Sequence, residues 1–232
     1  MVNNLLSIDW DYFIPIKREW CGSYIENNKN KVILWYKRYI EYKRRGYDLQ
    51  TLIKVDSRVN YFWKNIKRYF IFNKNTKVFV SDSHKFSYSI AKKNKCLNVY
   101  NFDAHSDLGY GGLKSLNFEL NCGNWLGKLL KDNIIKGANI IYSPYTYESK
   151  EEFEEINNTY NVEYLELKDI NKIPISFIHI CRSGTWTPPW LDDKFEKFVN
   201  QSNLFYKTID YFKRKWNPKD LSLSTRIYFM YC

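Results

Sequence analysis

Short apolar runs rich in β-branched and aromatic residues recur along this chain, with helix-period stretches between them. "NLLSIDW", "TKVFVSDSH", "CLNVYNFDAH", "ANIIYSP", "VEYLEL" and "ISFIHICRSG" read as strands. "KVILWYKRYIEYKRRG" has Val32, Trp35, Tyr36, Tyr39 and Ile40 at helical spacing, with Gly46 as its stop. Further helices are expected near Tyr61 to Phe70, over "FSYSIAKKNK" and "CGNWLGKLLKDNII", at Leu191 to Asn200 and around Phe205 to Lys215. "TRIYFMYC" reads as a last strand or a docked tail, and the acidic stretch 150–161 as a surface helix and loop. This alternation restricts the chain to βαβ units. The expected fold class is α/β, a three-layer α/β/α sandwich with a mainly parallel sheet. With 232 residues, 44% of them hydrophobic, one domain spanning 1–232 can bury a sizeable core.

In such a sheet, ligands sit at the carboxyl ends of the strands. Three polar clusters fall at expected strand ends. They are "SIDWDYF" with Asp9 and Asp11, "VSDSHKF" with Asp82 and His84, and "NFDAHSD" with Asp103, His105 and Asp107. Residues two apart on an extended backbone point the same way. Asp9 and Asp11 can therefore converge, and so can Asp103, His105 and Asp107 if the backbone stays extended past the strand. A lone D-x-D also serves as a cap or turn, so the first pair alone decides little. The D-x-H-x-D run is more specific, and two of the chain's three histidines lie in these clusters.

Pooled carboxylates repel one another unless a cation neutralises them. Oxygen donors with a few imidazoles suit a hard or borderline divalent ion such as Mn²⁺ more than thiolate-loving zinc. Five carboxylates and two histidines exceed the needs of one ion. They fit a pair of ions about 3.5–4 Å apart, the arrangement that activates water for hydrolysis.

"FDAHSD" resembles the DAHxD metal motif of the ureohydrolase superfamily, the arginases and agmatinases. "SIDWDYF" resembles that family's S-x-D-x-D pair, and "VSDSHKF" its GGDHS histidine motif without the glycines. The resemblance implies two Mn²⁺ per chain. Asp103, Asp107, Asp9 and His84 would hold one ion, and His105 and Asp11 would complete the other's shell, with Asp103 and Asp9 bridging. It also implies hydrolysis of a guanidinium to an amine and urea. The motif order differs, because the aspartate pair comes first, as in a circular permutation. Short, permuted chains of this kind resemble the atypical peptide arginases, which convert arginine to ornithine within ribosomally made precursor peptides. The likeness is carried by residues 5–15, 78–126 and 176–196. A precursor peptide is accordingly the expected substrate and partner, with a homo-oligomer left open.

Other residues are candidates for the same chemistry. Asp107, His179 and Asn124 are the expected catalytic residues. His179 could return a proton to a leaving amine, although its apolar strand suits a core histidine too. Asn124 could cap the helix after "NCG" or touch substrate. Cys122 reads as a small buried residue. Trp186 and Trp190, in a loop stiffened by Pro188 and Pro189, could hold a cation on their faces or pack the loop down. Asp192, Asp193 and Glu119 are candidate guanidinium partners.

Lys and Arg outnumber Asp and Glu by 36 to 25, a formal charge of +11. This charge could attract an acidic leader segment or nucleic acid, and otherwise belongs to solvated surface. Aromatics interleave with bases in "YKRYIEYKRRGY" and "YFWKNIKRYF", but no nucleic-acid-binding signature accompanies them. Five scattered cysteines without a CxxC pair suggest reduced thiols. With no signal-peptide pattern and no long apolar run, the expectation is a soluble cytoplasmic protein that binds no membrane.

Overall fold

The structure is a computed structural model and describes residues 2–22, 26–27 and 29–231. Cys232, the end of the expected last strand or tail, lies outside the described residues. Among those residues, seven strands form one parallel sheet. They are β1 (Asn4–Asp9), β3 (Lys77–Ser81), β4 (Asn98–Asp103), β5 (Gly137–Tyr142), β6 (Val162–Tyr164), β8 (Phe177–Cys181) and β9 (Tyr206–Asp210). Their order is β6-β5-β4-β1-β8-β3-β9. A separate parallel pair joins β2 (Phe70–Ile71) to β7 (Ile173–Pro174). The main helices are α1 (Leu34–Arg44), α2 (Leu49–Leu52), α3 (Phe62–Ile66), α4 (Phe86–Lys93), α5 (Trp125–Lys131), α6 (Glu154–Thr159), α7 (Asp192–Gln201) and α8 (Leu223–Tyr231).

The three layers follow from period-two burial on both faces of the sheet. Leu6, Ile8, Phe102, Ile178 and Ile180 pack with Trp35 of α1, Phe62 of α3, and Phe195 and Phe198 of α7. Leu5, Val99 and Phe177 face the other way, onto Ile90 of α4, Trp125 of α5 and Ile156 of α6. The first layer is densely aromatic. Phe62 lies edge-on to Phe13 and Phe102 at ring separations of 5.1 and 5.3 Å.

One seam of the sheet is polar. Ser7 of β1 stands beside Asn101 of β4 and His179 of β8. All three are fully buried. They lie on the face toward α4 and α5, directly below the carboxyl ends of the central strands.

The chain reverses its direction of travel across the sheet at β1. It runs from β3 on one side of β1 to β4 on the other, and returns later to insert β8. Such a crossing leaves a crevice above the strand ends.

One expectation fails. The stretch from Phe205 to Lys215 is not helical; its first half is β9, paired with β3. The open edge of β3 supplies hydrogen-bond partners, and Tyr206, Thr208 and Ile209 suit a strand. Of the two readings of "TRIYFMYC", the strand does not form and the docked tail does: its described residues belong to α8, held on α1 by the stacking of Phe229 on Tyr36 at 4.7 Å. The helix near residue 61 is also shorter than expected, ending at Ile66.

Trp35, Tyr36, Tyr39 and Tyr42 of the aromatic and basic segment are buried, so these rings build core rather than an open stacking platform. Among the described residues, no helix is long and apolar enough to cross a membrane.

Candidate metal centre

Asp9 ends β1 and Asp103 ends β4, which places two carboxylates on neighbouring strands at one level. Neither cluster converges by continued extension, contrary to the sequence expectation. After Asp9 the chain turns at once into a 3₁₀ turn, Trp10–Phe13, and Asp9 Oδ1 accepts from the Asp11 amide at 3.1 Å. After Asp103 the backbone also turns, and Asp103 Oδ1 accepts from the His105 amide at 2.8 Å. Asp107 then takes a left-handed conformation, with φ of 54°. That is uncommon for a residue with a side chain, and such strain gathers at functional sites. These turns fold each acidic side chain back over its own strand end.

Two groups result. His84 Nδ1 lies 3.2 Å from Asp9 Oδ2, 3.1 Å from Asp103 Oδ2 and 2.8 Å from Asp107 Oδ2. His105 Nδ1 lies 3.0 Å from Asp11 Oδ2 and 3.6 Å from Asp103 Oδ1. Asp9, His84 and Asp103 could hold one metal ion, and Asp11, Asp103 and His105 another. Asp103 belongs to both groups and offers one oxygen to each.

The donor set fits a cation. His84 Nδ1 is buried and makes no hydrogen bond of normal geometry, although three carboxylate oxygens crowd it. Oxygens with imidazole nitrogens are the ligands of a hard or borderline divalent ion. Without one, the cluster must hold protons. Burial opposes charge on His84, yet contacts with Asp103, Asp107 and Asp9 raise its pKa well above the usual imidazole value. Burial acts the same way on His105, and the charge of Asp11 outweighs it. Burial and then Asp103 push Asp107 up to about 7. Burial, then Asp9 and Asp103, raise Asp11. Burial also opposes ionisation of Asp103, but its bonds from His105 and His84 keep it below the ordinary carboxylate range.

The surroundings hold these candidate ligands in place. Trp125 Nε1 donates to Asp107 Oδ2 at 2.5 Å from the start of α5. Ser183, itself left-handed with φ of 50°, donates its hydroxyl to Asp9 Oδ2. Glu148 accepts from the Ser106 amide at 2.7 Å and from the Tyr110 hydroxyl at 2.6 Å, pinning the loop that carries His105. Gly127 lets α5 approach that loop, because a Cβ there would meet the Leu108 carbonyl at 2.1 Å.

Asp82 is not part of the cluster, although it stands two residues before His84. It pairs with Arg182 at 2.8 Å and Lys31 at 2.9 Å, all three side chains buried. Asp192, expected as a guanidinium partner, is likewise taken up, by Arg182 and Arg214.

The cluster floors an open cleft of about 1000 Å³. Asp9, Asp11, His84, His105, Asp107, Glu26, Glu119, Glu148, Cys122, Asn124 and Trp186 all reach it, and Trp190, Asp193 and His179 do not. Trp190 packs against Trp35 instead. Asn124 stands at the cap position of α5 but makes no capping bond; its amide ties residues 119 and 121 together. His179 is buried in β8, its ring 5.8 Å from that of His84.

Ser7, Glu26, Ser87, Trp125, Glu148 and Ser183 were not singled out from the sequence. Ser7 had a signal, as a polar residue at a buried strand position. Glu26 and Glu148 lie in loops whose path no local pattern sets.

No protein-family model matches this chain, and neither does any curated protein or solved structure.

Proposed function

We propose that this chain is a dinuclear metal hydrolase of the ureohydrolase type, binding two Mn²⁺ and converting arginine to ornithine and urea within a precursor peptide. The observation that carries the reading is the division of Asp103 between two ligand groups, one oxygen toward His84 and one toward His105. Asp9, His84, Asp103 and Asp107 would hold one ion, and Asp11, Asp103 and His105 the other. Such a pair lowers the pKa of bound water toward neutrality and stabilises charge on the reacting centre.

The chain's residues supply the rest. In the hydrolysis, water adds to the guanidinium carbon, the bond to the side-chain nitrogen breaks, and that nitrogen leaves as an amine after gaining a proton. Glu26 supports binding of a cationic group at the cleft wall. One of its oxygens accepts from Ser83 at 2.5 Å, and the other is buried without a partner among the described residues. Glu119 and Glu148 add negative charge to the same cleft. The exposed rings of Tyr110, Phe118 and Tyr147 at the cleft favour a peptide over a free amino acid, since they extend apolar contact beyond one side chain. His179 has no cleft face, so direct proton transfer to substrate falls to the cleft carboxylates.

Incubation of Mn²⁺-loaded protein with arginine-containing peptides, free arginine, agmatine and acetylated amines tests the reading. Urea and an ornithine peptide are expected. Acetate release, or turnover of free arginine alone, would point to a different C–N hydrolase. A protein that binds Mn²⁺ and releases neither product would overturn the reaction assignment.

A further inference from the structure

Beneath His84 runs a line of buried groups that the proposed chemistry does not use. Ser7 Oγ lies 2.6 Å from His84 Nε2 and 2.9 Å from Ser87 Oγ. Ser87 Oγ lies 2.6 Å from His179 Nδ1, and His179 Nε2 lies 2.7 Å from Ser81 Oγ. Ser81 donates to the Ser83 carbonyl at 2.9 Å. All five side chains are at most 1% exposed. They come from β1, α4, β8, β3 and the turn after β3, so only the tertiary fold assembles them.

The protons in this line can be counted from its far end. A carbonyl only accepts, so the single hydroxyl proton of Ser81 is spent on Ser83. Ser81 Oγ must then accept from His179, which places that ring's proton on Nε2. His179 is fully buried and its ring nitrogens meet only the Ser81 and Ser87 hydroxyls, with no carboxylate to balance a charge, so the ring is neutral and its Nδ1 is an acceptor. Ser87 spends its proton there and accepts from Ser7. Ser7, its own proton spent, accepts from His84 Nε2. Each step leaves the next group one role only, and the line ends with His84 Nδ1 facing Asp9, Asp103 and Asp107.

We propose that Ser81, His179, Ser87 and Ser7 form a one-way hydrogen-bond chain that fixes the proton of His84 on Nε2 and so reserves Nδ1 as a metal ligand. His179 is thus a positioning residue, two serines removed from the metal centre. Groups that orient a ligating imidazole typically change metal affinity by 10–100-fold when removed. The inference rests on the metal reading above, and its test separates the two.

The chain has three histidines, so long-range ¹H–¹⁵N correlation of the imidazoles gives a readable spectrum. In the wild-type, metal-free protein, His179 is expected as the Nε2–H tautomer, and His84 is expected to carry a proton on Nε2. In the Zn²⁺-loaded protein, His84 keeps that proton. Mn²⁺ titration followed by electron paramagnetic resonance then compares Ser87→Ala with Ser87→Thr. Affinity should fall about 10–100-fold in the first and stay near wild type in the second, which keeps the hydroxyl. His179 found as the Nδ1–H tautomer would overturn the chain, whatever the variants do. So would a folded Ser87→Ala protein with unchanged Mn²⁺ affinity. If the wild-type tautomers are as stated but the protein binds no Mn²⁺, the metal reading fails and takes the role of the chain with it.

Discussion

Asp82 stands two residues before His84, yet its carboxylate turns away from the acidic cluster and closes on the guanidinium of Arg182 at 2.8 Å. Neither side chain is exposed. The pair continues through Asp192 to Arg214, whose guanidinium also donates to the Gly184 and Thr187 carbonyls. This network ties residues 182–187 to β3, and within that loop Ser183 reaches Asp9.

Asp82→Asn would leave Arg182 and Lys31 buried with one anion fewer. Removing one partner of a buried ion pair costs about 3–5 kcal/mol. Chemical denaturation should show a loss of at least about 3 kcal/mol with an unchanged slope against denaturant. A loss under about 1 kcal/mol, the value of an exposed pair, would mean the network is solvated in solution.

Ser183 combines a left-handed backbone with a bond to Asp9, a candidate metal ligand. Ser183→Gly relieves the first and deletes the second. Mn²⁺ affinity should fall about 10-fold, while relief of the backbone strain offsets part of the stability lost with the bond. Unchanged affinity would reduce the Ser183 hydroxyl to loop packing.

The raised pKa values of His84 and His105 set a sign for pH dependence. A folded-state value above the unfolded one gives stability that is fully present below the ordinary imidazole range near 6.5, and lost as pH rises through the raised value. Mn²⁺ must displace those protons to bind. The gain in melting temperature on adding Mn²⁺ should therefore grow from about pH 6 to about pH 8. A gain that is flat or shrinks over that range would contradict imidazole ligation.

Glu26 offers the cleft a buried oxygen that has no partner among the described residues. Glu26→Gln removes its charge and leaves the ligand groups untouched. A charge-assisted hydrogen bond of about 1.5–3 kcal/mol predicts a fall in kcat/KM on arginine peptides of about 10-fold or more, with Mn²⁺ content unchanged. Wild-type kinetics would place cation recognition on another cleft carboxylate.

The layered α/β fold was legible because every central strand is buried on both faces and bounded by a helix-period segment. β9 was not, since its pairing depends on the open edge of β3, a partner distant in the chain. The aspartates and histidines of the site were legible as strand-end clusters. Their mode of convergence was not. Strand alternation predicted that Asp103, His105 and Asp107 share a face by extension, whereas the left-handed turn at Asp107 does the work. Sequence places Asp82 beside His84 and so with the cluster, and only the fold brings Arg182 to claim it. The apolar strand around His179 suits a core histidine or a proton shuttle alike. Its partners Ser81 and Ser87 come from other elements, and no local pattern could have named them.

The most direct test is the metal content of protein purified with Mn²⁺, measured by elemental analysis beside Asp103→Ala. About two Mn²⁺ per chain, both lost or reduced in the variant, is the result expected of a carboxylate shared by two sites. Wild-type protein without bound metal, or a folded Asp103→Ala protein that keeps both ions, would contradict the dinuclear centre.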